Sequence, residues 1–224
     1  HRSDSRSRRC RSALLNSLSW QLPSFLLASF FSTKVVGYYA LGTRVLRLPM
    51  SLIGGAIAQV FFQRAAEART EGILGTVVEG AYRRLVMLGM FPLLLLTIVG
   101  RDVFVVIFGN NWAEAGVYTQ LLSIWTFFWF ISSPLSTLYS VLEKQEAALA
   151  LNAVILLTRL VSLVAGGLLR NARLGLLLFG ISGVVVYGYL SFVILVAAGV
   201  SVRKMLVILL RSFLVFLPFG MTAA

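Results

Sequence analysis

Histidine, cysteine and acidic side chains are scarce in this chain of 224 residues: one His (His1), one Cys (Cys10), and eight Asp and Glu against twenty Lys and Arg. A lone cysteine excludes an internal disulfide framework, and a lone terminal histidine excludes a zinc cluster or a His-based triad. Asp102, Glu114, Glu143 and Glu146 all fall at the ends of apolar segments, so none is placed as an intramembrane proton carrier. Glycoside chemistry needs two acids about 5 to 10 Å apart in a cleft. Glu143 and Glu146 merely flank Lys144 in a tight loop. No catalytic residue, metal site or cofactor is assigned, and the chain is not expected to be an enzyme. Aromatic residues are missing from between Arg2, Arg6, Arg8, Arg9 and Arg11, so stacking on bases is not provided for and nucleic acid is not expected as a partner.

Apolar residues, by contrast, make up 58% of the chain and charged ones only 12%. Ala115 to Leu142 and Leu174 to Val202 hold no charge at all, and each exceeds the roughly 20 residues that cross a bilayer as a helix. Backbone in hydrocarbon must satisfy its own N–H and C=O groups, and runs this continuously apolar do so as helices. The expected class is therefore all-α, a polytopic membrane helix bundle of about seven spans near Ala13 to Phe31, Val35 to Phe62, Leu85 to Val99, Val117 to Leu142, Ala147 to Leu169, Leu174 to Val200 and Met205 to Gly220. Residues 1–12 read as a basic cytoplasmic tail or loop and 13–224 as the transmembrane bundle. An Arg-rich start that leads into a full span without a cleavage site reads as part of a longer protein.

The net charge of +12 is placed by topology. Arg64, Arg69, Arg83, Arg84, Lys144, Arg203 and Lys204 share one set of loops with the Arg-rich start, while Lys34, Arg101, Arg170 and Arg173 occupy the other. The positive-inside bias puts the first residue in the cytoplasm and the last outside. The third span contains Pro92 and is followed by Gly100, Arg101 and Asp102, so it continues either as one tilted helix or as a break and a re-entrant piece. Gln63 to Arg84 reads as an amphipathic helix at the cytoplasmic surface. Trp112 and Tyr118 read as interfacial aromatics.

Three stripes at helical spacing stand out. Gly37, Ala40, Arg44, Arg47, Ser51, Gly55 and Ala58 share a face of the second span. Its two cations either face a cavity or snorkel to headgroups. Thr119, Ser123, Thr126, Phe130, Ser133, Thr137 and Ser140 recur in the fourth span, giving either helix packing or a polar wall for a hydrophilic substrate. In the fifth, Asn152, Arg159, Ser162 and Gly166 align, with Arg159 in mid-segment. An intramembrane Arg costs at least about 2.5 kcal/mol, so it needs a partner. No carboxylate lies at matching depth, which leaves a substrate anion, water or a residue outside this sequence.

VVGYYALGTRVLRLPMSLIGGAIAQVFFQRAAEA (Val35 to Ala68) and FVVIFGNNWAEAGVYTQLLSIWTFFWFISSPLSTLYSVLEKQE (Phe104 to Glu146) resemble the corresponding segments of polysaccharide flippases of the MATE-like exporter superfamily, the Wzx-type O-antigen and teichuronic acid exporters. The resemblance implies the second of two helical bundles, with the first, N-terminal bundle as its missing partner. It further implies transport of undecaprenyl-diphosphate-linked oligosaccharide for lipopolysaccharide or other surface glycans, across the bacterial inner membrane, in contact with membrane lipids. Arg159, Arg44, Arg47 and Asn152 are then the expected substrate-binding residues. The competing readings are a multidrug or organic-cation exporter of the same superfamily and a membrane-embedded polysaccharide polymerase or glycosyltransferase.

Overall fold

A computed structural model describes residues 20–141 and 145–222; the segment 1–12 and the beginning of the first expected span lie outside the described residues. In chain order the helices are α1 (residues 20–30), α2 (Thr33–Leu46), a π-helical turn (Met50–Gly54), α3 (Gly55–Glu71), α4 (Leu74–Phe108), a short 3-10 turn (Asn110–Trp112), α5 (Ala113–Leu135), α6 (Leu138–Val141), α7 (Gln145–Leu168), α8 (Ala172–Ala197) and α9 (Val202–Thr222). No strand occurs among the described residues. The chain folds as an all-α membrane helix bundle. The described part of each of the seven expected spans is largely helical, although length and apolarity single out three among the described residues: α4, Ala150–Leu168 of α7, and α8. The α2 and α3 pair makes a fourth if counted as one bent span.

That bend is the main departure from the sequence reading, which runs one helix from Val35 to Phe62. The axis turns by 42° where α2 ends. Pro49 has no N–H to give and its ring disfavours helical geometry behind it. The backbone therefore loosens into the π-helical turn before α3 resumes. Pro92 has no such effect, since α4 runs unbroken for 35 residues, about 52 Å at helical rise. The helix thus exceeds the hydrocarbon thickness of about 30 Å, and Arg101 and Asp102 sit exposed on its far end. A single helix with no re-entrant piece is the arrangement observed. The surface helix expected over Gln63 to Arg84 is replaced by the junction of two long helices. Gly72, at φ +75°, caps α3 in a left-handed conformation open to glycine. Phe61, Ala65, Ala68, Val78 and Tyr82 on either side of it are buried.

Helix α5 lies at the centre, packed against α2, α4 and α8. Small residues on its neighbours admit it: a side chain at Gly183 of α8 would overlap the Trp125 ring, and one at Gly89 of α4 would meet Phe130. Its hydroxyl stripe serves packing. Thr119, Ser123 and Thr126 are buried and donate to carbonyls of their own helix at 2.8 Å. Ser123 also shares a 2.7 Å hydrogen bond with Thr97 of α4, and Gln120 Nε2 donates to Ile98 O at 2.8 Å.

Ion pairs fasten the two ends. Lys204 Nζ meets Glu79 at 2.9 Å where α8 turns into α9, and Arg173 forms a bidentate pair with Glu114 (2.7 and 2.5 Å) where α7 turns into α8. At the second end Tyr38 packs edge-on to Trp112 and Tyr118, with Lys34 over its ring. On the positive-inside bias the Glu79 end is expected to face the cytoplasm. Cysteine labelling in intact cells checks this orientation: a thiol at Asn111 is expected to react from outside without permeabilisation, and one at Thr70 only after it. The reverse pattern inverts the topology.

Candidate functional site

The break after α2 opens the site. Arg47 is the C-cap of α2, 14 residues from the helix start, or about 20 Å along its axis. Irregular backbone at such depth is tolerated where it lines a cavity. An open groove of about 760 Å³ runs there between α1 and α2, lined by Gln21, Ser24, Tyr39, Thr43, Arg44 and Arg47 among others. Arg44 and Arg47 both line it and are exposed. Among the described residues no carboxylate lines the groove.

Arg159 is placed differently. Its side chain is 2% exposed and lies behind the groove rather than in it. Nη2 donates to Tyr187 Oη of α8 at 3.1 Å, and the guanidinium stacks 4.7, 5.5 and 5.4 Å from the ring centroids of Trp20, Trp125 and Phe179. Among the described residues a phenol and aromatic faces are partners of this cation, where a substrate anion, water or a residue outside this sequence was expected. Aromatic quadrupoles attract a cation most where water is excluded, by about 2 kcal/mol or more. Sequence reasoning sought carboxylates and overlooked the rings. Trp125 in a charge-free span and Tyr187 in another were the available signal.

Trp20 joins the two arginine sites. Its ring lines the groove and carries Arg47 4.3 Å from its centroid as well as Arg159 at 4.7 Å. Tyr39, buried beside it, lies within electrostatic range of both cations. Asn152 is half-buried and lines none of these surfaces. The rest of its face, Ser162 and Gly166, is turned onto α8: Ser162 Oγ reaches Ser182 at 3.4 Å, and a side chain on Gly166 would overlap Gly175.

An all-helical bundle with several apolar spans, one of them bent, defines a multi-pass membrane protein. Residues 8–117 match the family described as polysaccharide biosynthesis protein, a segment that contains the whole groove but not Arg159. No curated protein matches the chain. Among solved structures, the fold is that of the lipid II flippase MurJ in an inward closed conformation, with a TM-score of 0.77 at 14% identity. The match covers 95% of this chain and 46% of that one, so the chain spans about half the length of MurJ. The family match takes in just under half of this chain, and the structural likeness establishes the fold.

Proposed function

We propose that this chain is the second bundle of a flippase that carries undecaprenyl-diphosphate-linked oligosaccharide across the bacterial inner membrane for surface polysaccharide synthesis, completed by an N-terminal bundle. The observation that carries the reading is the pair Arg44 and Arg47, exposed at the break of a span in a groove that no carboxylate lines among the described residues. Two fixed guanidiniums suit a diphosphate, which accepts bidentate hydrogen bonds. Gln21, Ser24 and Ser51 offer the groove polar groups for sugar hydroxyls, while Phe25, Ala28 and Leu48 keep its wall compatible with a lipid chain.

In this proposal Arg44 and Arg47 touch the diphosphate, and Arg159 acts through Trp20 as a positioning residue. Asn152 is given no contact. Alternating access follows from rocking of two bundles, with the bend at Pro49 as a flexible point. A site for organic cations would place carboxylates where the arginines are, which disfavours the multidrug reading. Transport needs no bond making or breaking, in keeping with the expectation that no nucleophile is paired with a base in this sequence.

Proteoliposomes holding the full-length protein test the reading. They are expected to move a fluorescent undecaprenyl-diphosphate oligosaccharide between leaflets, to leave ethidium where it is, and to return the lipid chemically unchanged. Ethidium transport with a static lipid supports the cation exporter, and a lengthened or cleaved glycan supports the enzyme.

A further inference from the structure

Trp20 carries two guanidiniums at once. Arg47 of α2 lies 4.3 Å from its ring centroid and Arg159 of α7 lies at 4.7 Å, both inside the reach of about 6 Å over which an aromatic face attracts a cation. Their freedom differs. Arg159 is buried, donates to Tyr187 of α8 and also lies over Trp125 and Phe179. Trp125 is in turn fixed against Gly183 of α8, where a Cβ would overlap its ring. Arg47 is exposed and lines the groove, so water or a ligand there competes with the ring for it.

The helices behind the two cations are not neighbours. Helix α2 packs on α5 and α7 packs on α8, and among the described residues α2 and α7 share no packed face. Trp20 of α1 therefore bridges the helix that bears the groove cation and the pair that bears the buried one. Its seat on α5 is loose. The ring meets Trp129 edge-on at 5.1 Å, and a gap too narrow for water lies between Trp20, Leu46, Arg47, Trp125 and Trp129. Such a gap deprives the ring of contacts on one side, so that a tilt costs little.

We propose that Trp20 couples occupancy of the groove to the packing of α7 on α8. Charge-assisted hydrogen bonds to a phosphate outweigh an exposed cation–π contact, so a polyprenyl diphosphate in the groove takes Arg47 off the ring. The anion also offsets a positive charge that repels Arg159, and the ring is left to Arg159 alone. Binding at Arg47 thus tightens the aromatic cluster around Arg159, and by reciprocity the cluster tightens the diphosphate. The inference rests on the diphosphate reading of the groove and adds to it an element with two states, Arg47 on the ring or Arg47 on the anion. Both sites bias that element, which is what a physical coupling requires.

The test is a binding cycle on the full-length protein in detergent, with farnesyl diphosphate as the probe and farnesol as its uncharged control. Tryptophan emission is expected to change with farnesyl diphosphate and not with farnesol. The change should vanish in Trp20→Leu while calorimetry still detects binding. Arg159→Lys should weaken binding roughly fivefold beside Trp20, the low end of coupling between sites, and less than about twofold in the Trp20→Leu background. A purely structural effect would weaken both backgrounds alike. Melting curves ensure that folded proteins are compared. Tyr187→Phe, which loosens Arg159 by one hydrogen bond, replaces Arg159→Lys should that variant not fold, and the emission of the unaltered protein decides should Trp20→Leu not fold. Binding with unchanged emission, or equal weakening in both backgrounds, overturns the coupling and leaves the groove reading standing. Absence of binding, or binding unaltered by Arg44→Ala with Arg47→Ala, overturns the groove reading and the coupling with it.

Discussion

Replacing Arg44 and Arg47 together by alanine in the full-length protein is expected to abolish export of surface glycan while leaving the amount of protein in the membrane unchanged. Both side chains are exposed in the groove and neither fills the core. The fold loses one cation–π contact, Arg47 on Trp20, worth about 0.5–1 kcal/mol at an exposed site. Transport loses far more. Charge-assisted hydrogen bonds contribute about 1.5–3 kcal/mol each, so two guanidiniums facing a diphosphate amount to a rate loss of about 10²- to 10⁴-fold. The double lysine variant keeps the charge but not the planar fork and should recover only part of the activity. Export is read from surface glycan and protein from immunoblots of membranes. Normal export by the alanine variant removes the arginines from the mechanism.

Arg159→Ala is expected to act on the fold first. The change leaves Tyr187 Oη without its donor and vacates space among Trp20, Trp125 and Phe179. Loss of a desolvated cation–π set and a buried hydrogen bond should cost about 2–4 kcal/mol, seen as a lower melting temperature in detergent and less protein in the membrane. Tyr187→Phe removes only the hydrogen bond and should cost about 0.5–1.5 kcal/mol. Arg159→Lys keeps the charge without the flat surface that stacks on Trp20 and should fall between them. Because Trp20 also faces the groove, the positioning role predicts weaker carrier binding by Arg159→Lys at temperatures where it is fully folded. An Arg159→Ala protein that melts normally yet exports nothing would instead make this arginine a direct ligand.

The membrane class was legible in the sequence because it depends on composition over windows longer than any turn. Charge-free runs such as Leu174 to Val202 have one stable arrangement in hydrocarbon, and α8 takes up most of that run, from two residues before it to Ala197. Arg44 and Arg47 were legible for a related reason: two cations in an apolar stripe must find water or an anion. The sequence was less clear about breaks. Pro92 and Pro49 look alike in one dimension, yet α4 continues through the first while the second span bends at the other. Helix α4 packs on α5 and α9 along its length, whereas the residues after Pro49 border open grooves on both sides of the bend.

By itself, then, the sequence determined that the protein is a helical membrane bundle and which cations had to be accounted for, since burial of backbone and of charge in lipid is costly wherever it occurs. Only the tertiary structure decided what answers each charge. Arg159 stacks on rings from α1, α5 and α8 and bonds to a phenol 28 positions away in the chain, whereas Arg44 and Arg47 stay open to a groove. Cation–π and hydrogen-bond partners are chosen by distance and angle, and those exist only once separate helices have packed.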